Sequence, residues 1–227
     1  MSVATPIDLK PTFVFLNSLS KNNNREWFEQ HRAQYETAKG QFELLIDELI
    51  MAYSDVEDFR GVTAKDCVMR IFRDVRFSKD KTPYRISMGA SIGSGGKRST
   101  RMAYYVHLEP HNKSMIAGGL YMPEAAHLAA FRTAIDRDAS QFKKIVNDKE
   151  FKKYFGSIDA NEKLKTAPQG YAKDHPEIDL LRLKQITAAH LFTDEQVLSK
   201  QFPAHAIKTF TVMKPFLDYF NEILGMK

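Results

Sequence analysis

Residues Met102 to Glu109 alternate strictly. Tyr104, Val106 and Leu108 face one side, and Ala103, Tyr105 and His107 face the other. Alternation with period two is the mark of a half-buried strand. Pro110-His111-Asn112-Lys113 supplies turn chemistry directly after it, and Ser114 to Tyr121 returns as a partner strand. A hairpin that buries only one face needs something to cover it. Helical patterns stand on both sides of it in sequence. The chain is therefore expected to be α+β, with an antiparallel meander of about four to five strands packed against N-terminal, middle and C-terminal helices.

The helices are read from apolar spacing. Phe13, Leu16 and Leu19 make a short stripe. Asn23 or Asn24 can cap a second helix, which the positions Trp27, His31, Tyr35, Ala38, Phe42, Leu45, Ile46 and Leu49 carry to about Tyr53. Gly40 is a place for it to bend. After Pro123, Leu128, Phe131 and Ile135 carry one helix and Phe142, Ile145 and Val146 another, with a continuation ending at Gly156. Thr193 with Gln196 forms a capping box. Ile207, Phe210, Met213, Leu217 and Phe220 carry a terminal helix perturbed at Pro215. Further strands are expected over Cys67–Arg73, 85–92 and 183–192. The paired Gly118-Gly119 signals a bulge or a close approach to the backbone. At 227 residues the chain suits one domain over 11–227, with 1–10 as a flexible leader.

The densest chemistry lies in the run from Arg70 to Arg85. Between Lys65 and Arg101 there are ten Lys or Arg against three Asp, in a chain whose formal net charge is +5. The positive field is thus local, and the remainder is slightly acidic. Clustered charge of one sign draws an oppositely charged partner. Arg70, Arg73, Arg76, Lys79 and Lys81 are candidate anion ligands, since arginine offers a planar fork and lysine a point charge. Tyr84 and Tyr121 are candidate walls. Asn24, Arg25 and Trp27, at a helix start, are candidate ligand contacts, because a helix N-terminus favours anions. The competing reading is that Asp74 and Asp80 pair with these bases and only brace the loop.

Tyr105, His107 and Glu109 share a strand face and form a candidate acid/base set: histidine titrates near neutral pH and a carboxylate can orient it. No grouping has metal-ligand spacing, no cofactor is expected, and neither a phosphate loop nor a dinucleotide fingerprint is present. A single cysteine, Cys67, read as a buried strand residue, excludes an intrachain disulfide and fits a reducing compartment. With no apolar run of membrane-spanning length and no secretory pattern, a cytoplasmic location without membrane contact is expected.

Four segments carry a resemblance. They are Asn22-Asn23-Asn24-Arg25-Glu26-Trp27-Phe28, the run from Arg73 through Phe77-Ser78-Lys79-Asp80-Lys81-Thr82-Pro83 to Tyr84, Gly118-Gly119-Leu120-Tyr121-Met122-Pro123, and Ala167-Pro168-Gln169-Gly170-Tyr171 with Asp174-His175-Pro176. In this order they resemble the uncharacterised family known as domain of unknown function 2461, over most of the chain from about Phe13. Arg85, where lysine is as common, and Gln169, where the family tends to a basic residue, depart from the pattern. The resemblance implies an α+β fold and supplies no activity. Function is read from the residues instead: an aromatic-lined basic site for a phosphate- or carboxylate-bearing small molecule, of the kind a hydrolase or transferase carries. The alternative is a nucleic-acid or protein-binding module without catalysis.

Overall fold

A computed structural model describes residues 6–226. Its elements, in order, are α1 Lys10–Lys21, α2 Arg25–Gln30, α3 Arg32–Tyr53, α4 Ala64–Cys67, β1 Met88–Ile92, β2 Tyr104–Leu108, β3 Ser114–Leu120, α5 Ala125–Arg137, α6 Ser140–Val146, α7 Lys149–Phe155, α8 Ile178–Leu181, β4 Ile186–Phe192, α9 Asp194–Leu198 and α10 Phe202–Ile223. The four strands form one sheet in the order β1-β2-β3-β4, an antiparallel meander. The fold is α+β. Along β2 and β3 burial alternates residue by residue, as the sequence pattern requires.

The chain groups into two compact units. The first holds the described residues up to Ser99 with Tyr105–Ile116 and Leu191–Ile207. The second holds Thr100–Tyr104, Ala117–His190 and the remainder from Lys208. In the first unit, α1 lies along α3, burying Phe15, Leu16 and Leu19 with Phe42, Leu45, Ile46 and Leu49. The hairpin turn after β2 is clasped by the start of α9: Asp194 accepts the His111 and Asn112 N–H groups at 2.9 and 2.7 Å, and its own N–H donates to Asn112 Oδ1 at 2.8 Å. His111 and Asn112 hold positive φ, +71° and +60°, which suits a tight reversal.

In the second unit, Phe131, Phe142, Phe216 and Phe220 form an aromatic core with edge and tilted contacts. Gly118 and Gly119 serve this packing. A Cβ on Gly118 would lie 2.6 Å from the Met213 sulfur, and one on Gly119, at φ +113°, would lie 2.3 Å from the Ile186 carbonyl oxygen. The close approach expected at this pair is made by the protein's own α10 and β4. Arg132 points inward and donates to the Leu181 and Leu183 carbonyls at 2.8 and 3.4 Å.

Several boundaries differ from expectation. The long helix is two helices. It breaks at His31, whose ring stacks on Trp27 at 4.0 Å and whose Nδ1 shares the Trp27 carbonyl at 2.8 Å. Gly40 does not interrupt α3. Of the expected leader, residues 1–5 lie outside the described residues. Leu9, however, is buried and Lys10 opens α1, because an apolar side chain next to a helix start gains from docking. The expected strand Cys67–Arg73 is not a strand. A capping box between Thr63 and Asp66 closes Ala64–Cys67 into a helical turn, which leaves Cys67 buried at a helix end. Beyond it, only isolated bridges form, Val68 with Ala90 and Phe72 with Tyr84. The strand expected over 85–92 accordingly shortens to β1.

Candidate functional site

Residues 68 to 92 form a hairpin whose register slips. The Met69 N–H donates to the Gly89 carbonyl at 2.8 Å, and the Arg85 N–H donates to the Ile71 carbonyl at 2.8 Å. Between these two links, Arg70 stands alone opposite Ile86, Ser87 and Met88. Surplus residues on one strand bend it and re-aim its side chains. The slip opens a recess lined by Arg70, Arg85, Ser87, Gly89 and Tyr105, with Tyr35 and Lys39 of α3 across from them. The recess continues into an open groove of about 570 Å³ that also takes in Lys65, Lys97, Phe72 and Glu43.

Five cations thus line one groove. The turn carrying Lys97 reaches α4 because Gly96, at φ +65°, has no Cβ; one built there would lie 2.6 Å from the Asp66 carbonyl oxygen. Lys97 Nζ donates to the Lys65 and Val68 carbonyls at 2.9 and 3.0 Å. Those bonds fix its position. Lys39 pairs with Glu43 at 3.0 Å, and Glu43 is the sole carboxylate among the described lining residues. Arg70 and Arg85 take part in no ion pair among the described residues. Burial pushes the Tyr35 phenol up to about 12, so it stays protonated and can act as a hydrogen-bond donor toward the groove.

The proposed anion ligands divide. Arg70 opens into the recess. Arg73 turns away, donating to Asp80 at 2.5 Å, to the Thr82 hydroxyl, and to the Thr82 carbonyl at 3.1 Å. Arg76 is forked on Asp74 at 3.0 and 2.7 Å. Lys81 Nζ donates to the Val75 and Arg76 carbonyls. These three residues brace the loop, as the competing reading had it, because each has its partner within the loop itself. The Thr82 N–H, the Arg73 guanidinium and the Thr82 hydroxyl hold the Asp80 carboxyl down to about 2. Lys79 is exposed on the loop, away from the groove lining.

The aromatic candidates are internal or elsewhere. Tyr84 is 2% exposed and stacks on Phe28 at 4.0 Å. Its backbone is clasped by Asn23, which donates to the Tyr84 carbonyl at 2.9 Å and accepts its N–H at 3.1 Å. Tyr84 is core, not wall. Asn24 caps α2 through the Trp27 N–H at 2.9 Å, and the Trp27 ring is taken up by His31. Arg25 is exposed at the first position of α2. Tyr121 is 71% exposed and belongs to the second unit.

Tyr105, His107 and Glu109 do come together. Tyr105 Oη lies 3.3 Å from His107 Nδ1, and His107 Nε2 lies 3.1 Å from Glu109 Oε2. Lys113 pairs with Glu109 at 3.2 Å. Since a carboxylate only accepts, Nε2 is the donor in the second contact. The Tyr105 end of this chain opens into the recess. Tyr35, Lys39, Lys65, Arg85 and Lys97 were not among the sequence candidates. Tyr35 and Lys39 carried one signal, a helical spacing of four that puts them on one face; nothing local marks Lys97.

Among the described residues no group of His, Cys, Asp and Glu is arranged to hold a metal ion, and no helix is long and apolar enough to cross a membrane. A family model described as conserved hypothetical protein (DUF2461) matches residues 11–219. No curated protein and no solved structure matches the chain.

Proposed function

We propose, for a chain that belongs to the family of conserved hypothetical proteins DUF2461, a function read from the groove itself: it binds a small molecule through a phosphate or carboxylate group. One observation carries this reading. Among the described residues Arg70 and Arg85 open onto the same recess without an ion-pair partner, while their neighbours Arg73 and Arg76 are both paired. Arginine side chains left unpaired at a concave site suit a bidentate oxyanion. Lys65 and Lys97 extend the positive lining, Tyr35 offers a neutral donor, and Phe72 supplies an apolar edge for the rest of the ligand. Specific ligand sites are concave, with few, well-placed polar groups.

A thermal-shift screen of phosphorylated metabolites and nucleotides against their uncharged parents tests this. A ligand that binds only the native state stabilises it by about 2.7 kcal/mol at a hundred times its Kd. Phosphorylated compounds are expected to raise Tm and their parents not to. The double substitution Arg70→Ala/Arg85→Ala removes two exposed side chains and is expected to abolish the shift while leaving the fold intact. A shift that survives this double change overturns the assignment. Stabilisation by oligonucleotides alone, weakening steeply as salt rises, would favour the nucleic-acid module instead.

A further inference from the structure

The groove of about 570 Å³ has two stopped ends, and they differ in chemistry. At one end the buried ring of Phe28 in α2 touches both walls: its centre lies 5.0 Å from that of Tyr35 in α3 and 5.9 Å from that of Phe72 in the hairpin arm. At the other end Asp47 of α3 accepts the Ala64 N–H of α4 at 2.7 Å. Tyr35, Lys39, Glu43 and Asp47 recur at a spacing of four, so α3 supplies one wall from a single face. The segment from Lys65 to Phe72 supplies the other wall and runs the opposite way. Between Tyr35 and Asp47 the helix rises roughly 18 Å, at about 1.5 Å per residue.

Along that length the lining changes. Phe72 stands at the Tyr35 end and is 46% exposed; its contacts with Phe28 and Tyr84 are tilted, so neither ring stacks over its face. Arg70 and Arg85 stand between the ends, Arg85 opposite Ile71 through its N–H. Lys65 and Lys97 stand together at the far end, joined by the bond from Lys97 Nζ to the Lys65 carbonyl. Five cations against the one carboxylate of Glu43 leave four positive charges among the described lining residues. A lone carboxylate or phosphate monoester offsets at most about two of them.

We propose that the groove takes a nucleoside diphosphate, with its base against Phe72, one phosphate at Arg70 and Arg85, and the second at Lys65 and Lys97. This rests on the reading of the groove as an anion site and adds to it a length, a direction and a charge. Lys97 spends two of its three N–H groups on the Lys65 and Val68 carbonyls, which leaves a third for a phosphate oxygen. Arginine forks and lysine point charges both hold phosphate. An exposed aromatic ring accepts any nucleobase, because every base has a π-face. A nucleic-acid strand offers the same groups but needs a way out at both ends. Phe28 stops one end and the Asp47–Ala64 contact stops the other.

ADP, AMP and inorganic pyrophosphate are the probes, titrated calorimetrically at one fixed salt concentration. ADP is expected to bind about tenfold tighter than AMP, the scale of one hydrogen bond to a charged group. Lys65→Ala, which removes an exposed side chain, should shrink that ratio, and Lys65→Ala/Lys97→Ala should abolish it. Phe72→Leu keeps an apolar group against Phe28 and Tyr84. It should weaken ADP and AMP alike by about tenfold, the scale of one stacked base, and leave pyrophosphate binding unchanged, which also shows that the variant is folded. Three results overturn the proposal and leave the groove reading standing, so long as Arg70→Ala/Arg85→Ala abolishes binding: ADP no tighter than AMP, a preference that survives the double lysine change, or ADP affinity indifferent to Phe72→Leu. An oligonucleotide that binds tighter than ADP overturns it in favour of a strand. Failure of the wild-type protein to bind any of the three probes removes both readings.

Discussion

Gly89 lies against the Tyr105 hydroxyl: a Cβ built on Gly89 would sit 2.6 Å from Oη and 3.1 Å from the ring. The phenol reaches the recess because β1 carries no side chain at this point. Gly89→Ala should therefore push the ring out of its place beside His107. Overpacking of this kind costs about 1–3 kcal/mol. Urea denaturation should register that loss. An unchanged denaturation midpoint in Gly89→Ala would show that the Tyr105 ring gives way without cost.

The Asp80 carboxyl, held to about 2 against an ordinary 3.8, makes the loop from Asp74 to Thr82 acid-sensitive. Its folded value is depressed, so the carboxylate's contribution is fully present above about pH 4 and is lost as pH falls from there through about 2. Hydrogen exchange of the Thr82 and neighbouring amides should accelerate across that window. In Asp80→Asn the loop should be loose at every pH and show no such transition.

Asn23 and Tyr84 are 61 residues apart in sequence and share two hydrogen bonds in both directions. Asn23→Ala leaves a half-buried backbone N–H and carbonyl unmatched. Each such group costs about 1–3 kcal/mol, so chemical denaturation should show a loss of at least one such increment. Asn23→Asp should be worse than a neutral amide replacement, because it removes the donor to the Tyr84 carbonyl and adds a charge.

Gly119→Ala should be the most damaging single change among these. It combines a left-handed φ of +113° with a Cβ 2.3 Å from a backbone oxygen, which no rotamer change can relieve. The cost is expected to exceed about 3 kcal/mol, adding backbone strain to steric overlap, and a fall in Tm should accompany it. Gly40→Ala, at a helical position with open space, is the control and should stabilise slightly.

What the sequence disclosed depended on range. The alternation of Tyr104, Val106 and Leu108 survives in the fold because a two-faced strand is specified locally, as is the capping box at Thr193. Tyr105, His107 and Glu109 were found together for the same reason. Cys67, Met69 and Ile71 alternate equally well, yet the first closes a helical turn and the hairpin beyond it slips. Local pattern cannot report a register that the partner segment sets. The loop charges were visible, but which were already paired was not, since Arg73 meets Asp80 only after the loop folds back. Lys97 reaches the Lys65 carbonyl across 32 residues, a proximity no window of sequence contains. Trp27 and Tyr84 carry ring faces suited to a ligand, and His31 and Phe28 occupy those faces.

The slip at Arg70 means that the recess is written in residue count more than in residue type. Between the links at Met69–Gly89 and Ile71–Arg85, one residue faces three. Removing two of Ile86, Ser87 and Met88 would let the two arms zip in step and close the aperture without altering a single charge in the groove. Lengths in this segment therefore act as a gauge for the site: a related chain two residues shorter here should keep the fold and have no pocket, whatever its arginines.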